Sequence, residues 1–139
     1  MHDDGRVTPE AFAAALRRAV FDAAVHDVLT TLDQGAPGRG PHPRADAMTG
    51  WYGELSEDDR TMVTEVVREA AHAAVFGTLC VLDGVRTVDD PPHATLVLTA
   101  VSDDGAVSTL SSQDAECELH DLFNGEVHPP TEPWPGVSG

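Results

Sequence analysis

The longest helical pattern in the chain lies at residues 56–84, and its second half constrains the fold most strongly. Ser56 is a favourable N-cap, and Asp59, three positions later, is an acidic variant of its capping-box partner. Gly84 predicts the end, because glycine adopts the left-handed conformation that terminates helices. Residues 73–82 carry no charge. A helix that is apolar on every side must be surrounded, so we expect the other elements to enclose this segment.

The first half of the same helix is amphipathic at helical spacing. One stripe is apolar and is predicted to face the core: Met62, Val63, Val66, Val67, Ala70, Ala71 and Ala74. The other side carries polar groups that we expect in water: Glu65, Arg68, Glu69 and His72.

A second long helix is predicted over residues 9–34, with Thr8 as N-cap, Pro9 at the first position and Gly35 after the end. Its apolar positions form two stripes on nearly opposite sides: Phe12, Leu16, Ala19, Val20 and Ala23, and then Phe21, Val25, Val28, Leu29 and Leu32. Either two layers sandwich the helix, or the second stripe covers another subunit. The latter makes a homodimer through helix 9–34 plausible.

The remaining segments alternate between turn signals and short periodic runs. Residues 35–50 are rich in glycine and proline and predict a loop. Residues 94–102 and 106–110 have the two-residue period of strands, and the Asp-Gly pair at 104–105 favours a hairpin between them. Residues 85–88 are a candidate third strand, separated from the hairpin by a proline-rich turn at 89–92. These segments predict a short antiparallel meander.

The C-terminal part predicts one more helix. Ser111 and Asp114 have capping-box spacing, and apolar residues continue at helical spacing to Asn124. Residues 126–139 are a proline-rich tail, and residues 1–7 a flexible polar one. We therefore expect one α+β domain over residues 1–139, with two long helices, a short antiparallel meander or hairpin and a short C-terminal helix.

The composition limits the classes of partner. Twenty-four acidic residues stand against eight arginines and no lysine, which gives a net charge of −16. Such a surface repels nucleic acid and anionic membranes and attracts basic proteins. A proteome-wide acidic bias would give the same composition. The acidic N-terminus lacks a signal sequence, and no apolar run approaches the ~20 residues that span a bilayer, so we expect a cytoplasmic protein.

The favoured function is a non-catalytic interaction protein, most concretely an immunity or inhibitor protein that docks on a basic bacterial enzyme. Aromatic residues beside acidic ones suit such a surface, because aromatics dominate interface energetics and acids steer a basic partner. The predicted partner-binding residues are Trp51, Tyr52, Glu54, Glu57, Asp58 and Asp59. We assign no catalytic residue and no cofactor.

Two alternatives stay open. Cys117 and His120, three apart on the predicted last helix, could bind a transition metal together with Asp121 and with His128 from the tail. That face lies opposite the apolar stripe, so we expect these groups in water. The protein would then be a metal-binding protein or a metal-dependent hydrolase. The other alternative is a homodimeric structural or accessory subunit.

Overall fold

A computed structural model describes residues 5–88 and 94–128 of the chain. Its elements, in order, are α1 (Pro9–Leu16), a π-helical segment (Arg17–Asp22), α2 (Ala23–Gln34), α3 (Pro43–Gly53), α4 (Glu57–Leu82), β1 (Leu98–Val101), β2 (Val107–Ser111) and α5 (Leu119–Val127). The α+β prediction is confirmed. No helix within the described residues has the length and apolar character needed to cross a membrane.

One core cluster joins α4, α5 and the first helix, which comprises α1, the π-helical segment and α2. Its buried members come from the first helix, α4 and α5: Phe21, Val25, Leu79, Leu119, Phe123 and Val127. The rings of Phe21 and Phe123 meet edge to face with centroids 6.1 Å apart, an arrangement that aromatic quadrupoles favour. This contact joins the first helix to α5, which are far apart in the sequence.

The first helix is continuous over residues 9–34 but contains a π-helical segment. The Thr8 hydroxyl accepts a hydrogen bond from the Ala11 amide at 3.1 Å, so the predicted N-cap is confirmed. Gly35 follows the last turn with a φ of 92°, as the predicted stop requires.

The π-helical segment explains why two stripes are seen in the sequence. The residues that pack on the core form a single row: Phe12, Leu16, Phe21, Val25, Leu29 and Leu32. One step in this row, from Leu16 to Phe21, spans five residues, and five is the hydrogen-bond period of a π-turn. Val20 and Val28 are left exposed. One valine of each predicted stripe is thus exposed. The first helix contacts α3, α4, α5 and β2, which agrees with the sandwiched alternative, and the homodimer stays a prediction.

Residues 35–50 are only partly a loop. Helix α3 begins at Pro43, so the prediction of a loop is wrong from there on. Proline is a loop signal, but it is equally favourable in the first turn of a helix. The Thr49 hydroxyl donates to the Thr31 carbonyl oxygen at 2.8 Å and fastens α3 to α2.

The predicted boundaries of α4 are confirmed, but its orientation differs from the prediction. The Ser56 hydroxyl accepts from the Asp59 amide at 3.1 Å. Val67 and Ala71 pack on the core, whereas Met62 and Val66 are 62% and 64% exposed. The side of α4 that faces the core is the one that carries Val75 and Leu79, one and two turns after Ala71. The predicted apolar stripe is wider than this side, so its outer residues are exposed.

The enclosure of residues 73–82 is partial, so the prediction of complete enclosure is wrong. Gly77, Leu79 and Cys80 are buried, but Ala73, Ala74 and Thr78 are exposed.

The cover over Gly77 comes from the chain that follows α4. The Arg86 guanidinium lies only 2.9 Å from the position that a Cβ at residue 77 would take. A glycine at this position therefore lets the arginine cross the helix closely.

The hairpin is confirmed, and the third strand is wrong. Strands β1 and β2 pair antiparallel with Val101 opposite Val107, and Gly105 in the turn has a φ of 84°. Residues 85–88 form bends and irregular backbone instead of a strand. The amides of Val85 and Arg86 donate to the Cys80 carbonyl oxygen at 2.9 and 3.1 Å, so they terminate α4. The turn predicted at 89–92 lies outside the described residues.

Helix α5 starts later and ends later than predicted. Ser111 is the last residue of β2, and its hydroxyl contacts the end of α4, so it is not a helix cap. Helix α5 continues to Val127, and the Glu126 carbonyl oxygen accepts from Arg17 at 2.7 Å. The predicted C-terminal tail thus begins no earlier than residue 128, and residues 129–139 lie outside the described part.

The predicted N-terminal tail is attached at its end. The carbonyl oxygen of Val7 accepts a hydrogen bond from the Ser108 hydroxyl of β2 at 3.1 Å. Residues 1–4 lie outside the described part of the chain.

Candidate functional site

Asp83, directly after α4, is the polar centre of the C-terminal half. Its side chain is almost completely buried. The Ser111 hydroxyl donates to Asp83 Oδ1 at 2.5 Å, and the His120 backbone amide donates to Asp83 Oδ2 at 2.9 Å. One carboxylate therefore connects α4, β2 and α5.

The imidazole of His120 is oriented by the same carboxylate. Its Nδ1 lies 2.8 Å from Asp83 Oδ2. A carboxylate can only accept, so Nδ1 carries the hydrogen and donates it. The other nitrogen, Nε2, points away from Asp83. The Phe76 ring packs perpendicular to the imidazole with centroids 5.5 Å apart and restricts its rotation.

Two carboxylates face the outward nitrogen of His120. Glu118 Oε2 lies 3.4 Å and Asp121 Oδ1 3.5 Å from Nε2. His120 is only 7% exposed, while both acidic side chains are open to solvent. We call Glu118, His120 and Asp121 the His120 cluster; its ligand atoms lie within 4.8 Å of one another.

The hydrogen bonds to Asp83 stabilise its charged form. Burial raises the pKa of this carboxyl, but the hydrogen bonds from Ser111 and His120 outweigh burial and leave the pKa below its ordinary value. Asp83 is therefore an ionised, fully satisfied acceptor that holds His120 in one tautomer.

An open cleft of about 470 Å³ borders the His120 cluster. Glu118 and Asp121 line it together with Glu116 and the exposed thiol of Cys117. The other thiol, Cys80, is buried, and burial raises its pKa, which makes it a poor nucleophile and ligand. A small solute can thus reach the two carboxylates from solvent.

The structure brings together half of the metal ligands predicted from the sequence. His120 and Asp121 converge, and Glu118 joins them, but Cys117 and His128 are not part of the cluster. The His128 ring instead packs against the His72 ring, with centroids 4.8 Å apart. The expectation that His120 is in water is wrong, because α5 begins only at Leu119 and its first turn faces the end of α4.

The residues predicted to bind a partner lie around the corner between α3 and α4. Trp51 is 52% exposed, and the acids Glu54, Glu57, Asp58 and Asp59 are all exposed. Tyr52 is half-buried.

Arg60 connects the two helices at this corner. Its guanidinium donates to the Tyr52 and Gly53 carbonyl oxygens at 3.2 and 2.9 Å and lies over the Tyr52 ring at 5.2 Å. These contacts attach the end of α3 at Tyr52 and Gly53 to the first turn of α4.

A further surface lies along α4, on residues that the sequence predicts to be enclosed or to face the core. Its exposed side carries a row of apolar residues that we call the α4 stripe: Met62, Val66, Ala70, Ala73 and Ala74. Asp58, Glu65 and Glu69 lie beside it on the same side of the helix. Within residues 5–88 and 94–128 none of these three acids forms an ion pair.

At its C-terminal end the α4 stripe meets an open apolar groove. The groove, about 350 Å³ in volume, runs between α1 and α4 and includes Ala74, Phe12, Leu16 and Val20 among its lining residues. Together the stripe and the groove form a continuous apolar surface on an otherwise highly acidic protein.

No protein-family model matches the chain, and no curated protein and no solved structure is significantly similar to it.

Sequence reasoning missed Asp83 and Glu118 in the site and the exposure of Met62 and Val66. The sequence indicates Asp83 only as part of a helix stop and indicates no role for Glu118. The sequence signal for Glu118 is the Glu-x-His-Asp spacing at 118–121, which places two carboxylates and one imidazole within four consecutive residues. No local pattern indicates that Asp83 lies behind the histidine.

Proposed function

We propose that this protein is a non-catalytic interaction protein that docks on a basic protein through the α4 stripe and the corner that carries Trp51. The most specific form of the proposal is an immunity or inhibitor protein that covers a basic enzyme. The observation that carries it is the α4 stripe, an exposed apolar row bordered by carboxylates that form no ion pair in the described part of the chain.

The chemistry of this surface resembles that of protein interfaces. Their buried centres are apolar and their rims are polar, and an exposed aromatic side chain is a frequent anchor. Met62 and Val66 would form the centre, Asp58, Glu65 and Glu69 the rim, and Trp51 the anchor.

The charge favours a basic partner over a second copy of the chain. A homodimer through this face would bring two subunits of net charge −16 together, with like charges at the rim. A basic partner instead gains attraction at long range, which accelerates association and weakens with salt.

The test is capture of a partner from cells of the source organism with the full chain, followed by affinity measurements with the captured protein. We expect the captured protein to be basic. The double variant Met62→Ser with Val66→Ser should lose at least about tenfold in affinity. Binding should also weaken steeply between about 50 and about 500 mM salt.

The matched control is Val101→Ser with Val107→Ser, which removes an exposed apolar pair from the hairpin. This control should bind like the natural chain. Equal binding by the α4 double variant and the natural chain, or affinity independent of salt, would contradict the proposal.

A further inference from the structure

The tautomer of His120 creates a local electrostatic requirement. Because Nδ1 donates to Asp83, a neutral imidazole presents the lone pair of Nε2 to the carboxylates of Glu118 and Asp121. A lone pair and two carboxylates repel one another unless a cation lies among them. No arginine within the described residues pairs with either acid, and the chain contains no lysine.

The distances from Nε2 to the two carboxylates are longer than a charge-assisted hydrogen bond and close to those between two ligands of one metal ion. A proton shared between Nε2 and a carboxylate gives a hydrogen bond of about 2.8 Å. The observed separations are 3.4 and 3.5 Å. Two ligand atoms at about 2.1 Å from a tetrahedral zinc ion are themselves about 3.4 Å apart. The two distances from Nε2 therefore fit ligands of a common metal ion. All three ligand atoms lie within 4.8 Å of one another, and rotation of the two solvent-exposed carboxylates would close the set around the ion.

The contacts of His120 resemble those that orient metal-binding histidines. Metal-binding histidines usually donate their second nitrogen to a carboxylate, which fixes the ring and raises its basicity. Asp83 occupies this place and is itself held by Ser111. The histidine is nine-tenths buried, so its orientation is set before any ion arrives.

We propose that Glu118, His120 and Asp121 bind one divalent transition-metal ion, with zinc as the best match, and that Asp83 is the positioning residue behind His120. Imidazole nitrogen favours transition metals over magnesium or calcium, and the two carboxylates neutralise the charge of the ion. Three protein ligands leave a fourth position towards the cleft, where water completes the coordination.

The set of ligands differs from that predicted from the sequence, because Glu118 takes the place of Cys117 and of His128. The positive end of α5 lies near the site and opposes a cation. Three carboxylates within reach, those of Asp83, Glu118 and Asp121, outweigh this partial charge.

The test is titration of the full chain, without a histidine tag and after chelation, with zinc in a calorimeter. We expect one ion per chain and a dissociation constant of about 10 µM or below. On addition of zinc, the ¹⁵N resonance of His120 Nε2 should shift, and added cobalt should give the visible absorption of a tetrahedral ion.

Four variants test the ligands, and all four positions are exposed, so folding is preserved. Glu118→Gln and Asp121→Asn should each weaken zinc binding by at least about tenfold. Glu116→Gln removes a neighbouring acid of the same cleft and should leave the affinity unchanged, as should Cys117→Ser.

The positioning role of Asp83 is tested by a separate measurement, the ¹⁵N chemical shifts of the His120 ring. In Asp83→Asn the ¹⁵N shifts of the His120 ring should report a changed tautomer mixture, and zinc affinity should fall by about tenfold to 100-fold. Absence of one-to-one zinc binding at about 100 µM metal, or equal losses in Glu116→Gln and Glu118→Gln, would overturn the proposal. A loss of affinity in Cys117→Ser would overturn this ligand set. None of these outcomes bears on docking through the α4 stripe.

Discussion

Asp83 Oδ2 accepts two hydrogen bonds from His120, one from the backbone amide at 2.9 Å and one from ring Nδ1 at 2.8 Å. The two residues are 37 positions apart in the sequence. The amide contact fixes the first turn of α5 against the end of α4, and the ring contact fixes the tautomer of the histidine. One carboxylate thus serves both the fold and the candidate metal site.

The first prediction concerns the contribution of Asp83 to stability. Asp83→Asn replaces an ionised acceptor of three hydrogen bonds by a neutral amide, whose NH₂ group faces a donor. We expect the free energy of unfolding to fall by about 3 kcal/mol, as measured by urea denaturation. Asp103→Asn, in the exposed hairpin turn, is the control and should change stability by less than about 0.5 kcal/mol. A loss below about 1 kcal/mol for Asp83→Asn would show that the hydrogen bonds are not formed.

The second prediction concerns the two thiols. Cys117 is exposed, whereas Cys80 is buried and burial raises its pKa, so little reactive thiolate is present. We expect one thiol per chain to react rapidly with Ellman's reagent under native conditions and the second only after unfolding. Cys117→Ser should abolish the rapid phase. Two rapid thiols in the natural chain would mean that Arg86 and its neighbours do not cover the end of α4.

The sequence predicts elements correctly where the signal is local. The cap at Ser56, the cap at Thr8 and the hairpin turn at Gly105 each depend on a few adjacent residues, and all are confirmed. Pro43 shows the limit of such signals, because a proline suits both a loop and the first turn of a helix. Ser111 shows it as well, since its hydroxyl contacts Leu82 and Asp83 instead of a helix terminus.

Features that depend on distant residues were not predictable in this way. His120 and Asp121 were recognised as candidate ligands, but the burial of His120 follows from Asp83, 37 residues away. The orientation of α4 is set by the place of Leu79 in the core cluster that also holds Phe21 and Phe123, which no periodicity in α4 alone defines. For the same reason, Met62 and Val66 looked like core residues.

A third prediction tests that orientation, on which the docking proposal depends. Val66 and Val67 are adjacent, yet Val66 is exposed and Val67 packs against the core. Val66→Ser should change the free energy of unfolding by less than about 0.5 kcal/mol. Val67→Ser should cost about 1 to 2 kcal/mol, because it removes apolar contacts and places a hydroxyl among apolar neighbours. Thermal and urea unfolding of the two variants provide the measurement, and equal losses would contradict the assigned face.

The last prediction concerns the π-helical segment in the first helix. Deletion of Ala19, an exposed residue within Arg17–Asp22, shortens the step from Leu16 to Phe21 to four residues. Four residues is close to one α-helical turn, so the segment should convert to regular α-helix while both residues keep facing the core. We expect the free energy of unfolding to change by less than about 1.5 kcal/mol.

The matched control is deletion of Asp27, an exposed residue of α2 outside the π-helical segment. Asp27 lies in a regular α-helix without an extra residue. Its deletion therefore rotates the part of the helix after residue 27 by about 100° relative to the part before it. Leu29 and Leu32 would leave the core while Phe21 and Val25 stay, and we expect a loss of about 3 kcal/mol or more. Urea denaturation of the two variants makes the comparison. Similar losses for both deletions would mean that the five-residue step is not what aligns Phe12 and Leu16 with the later core residues.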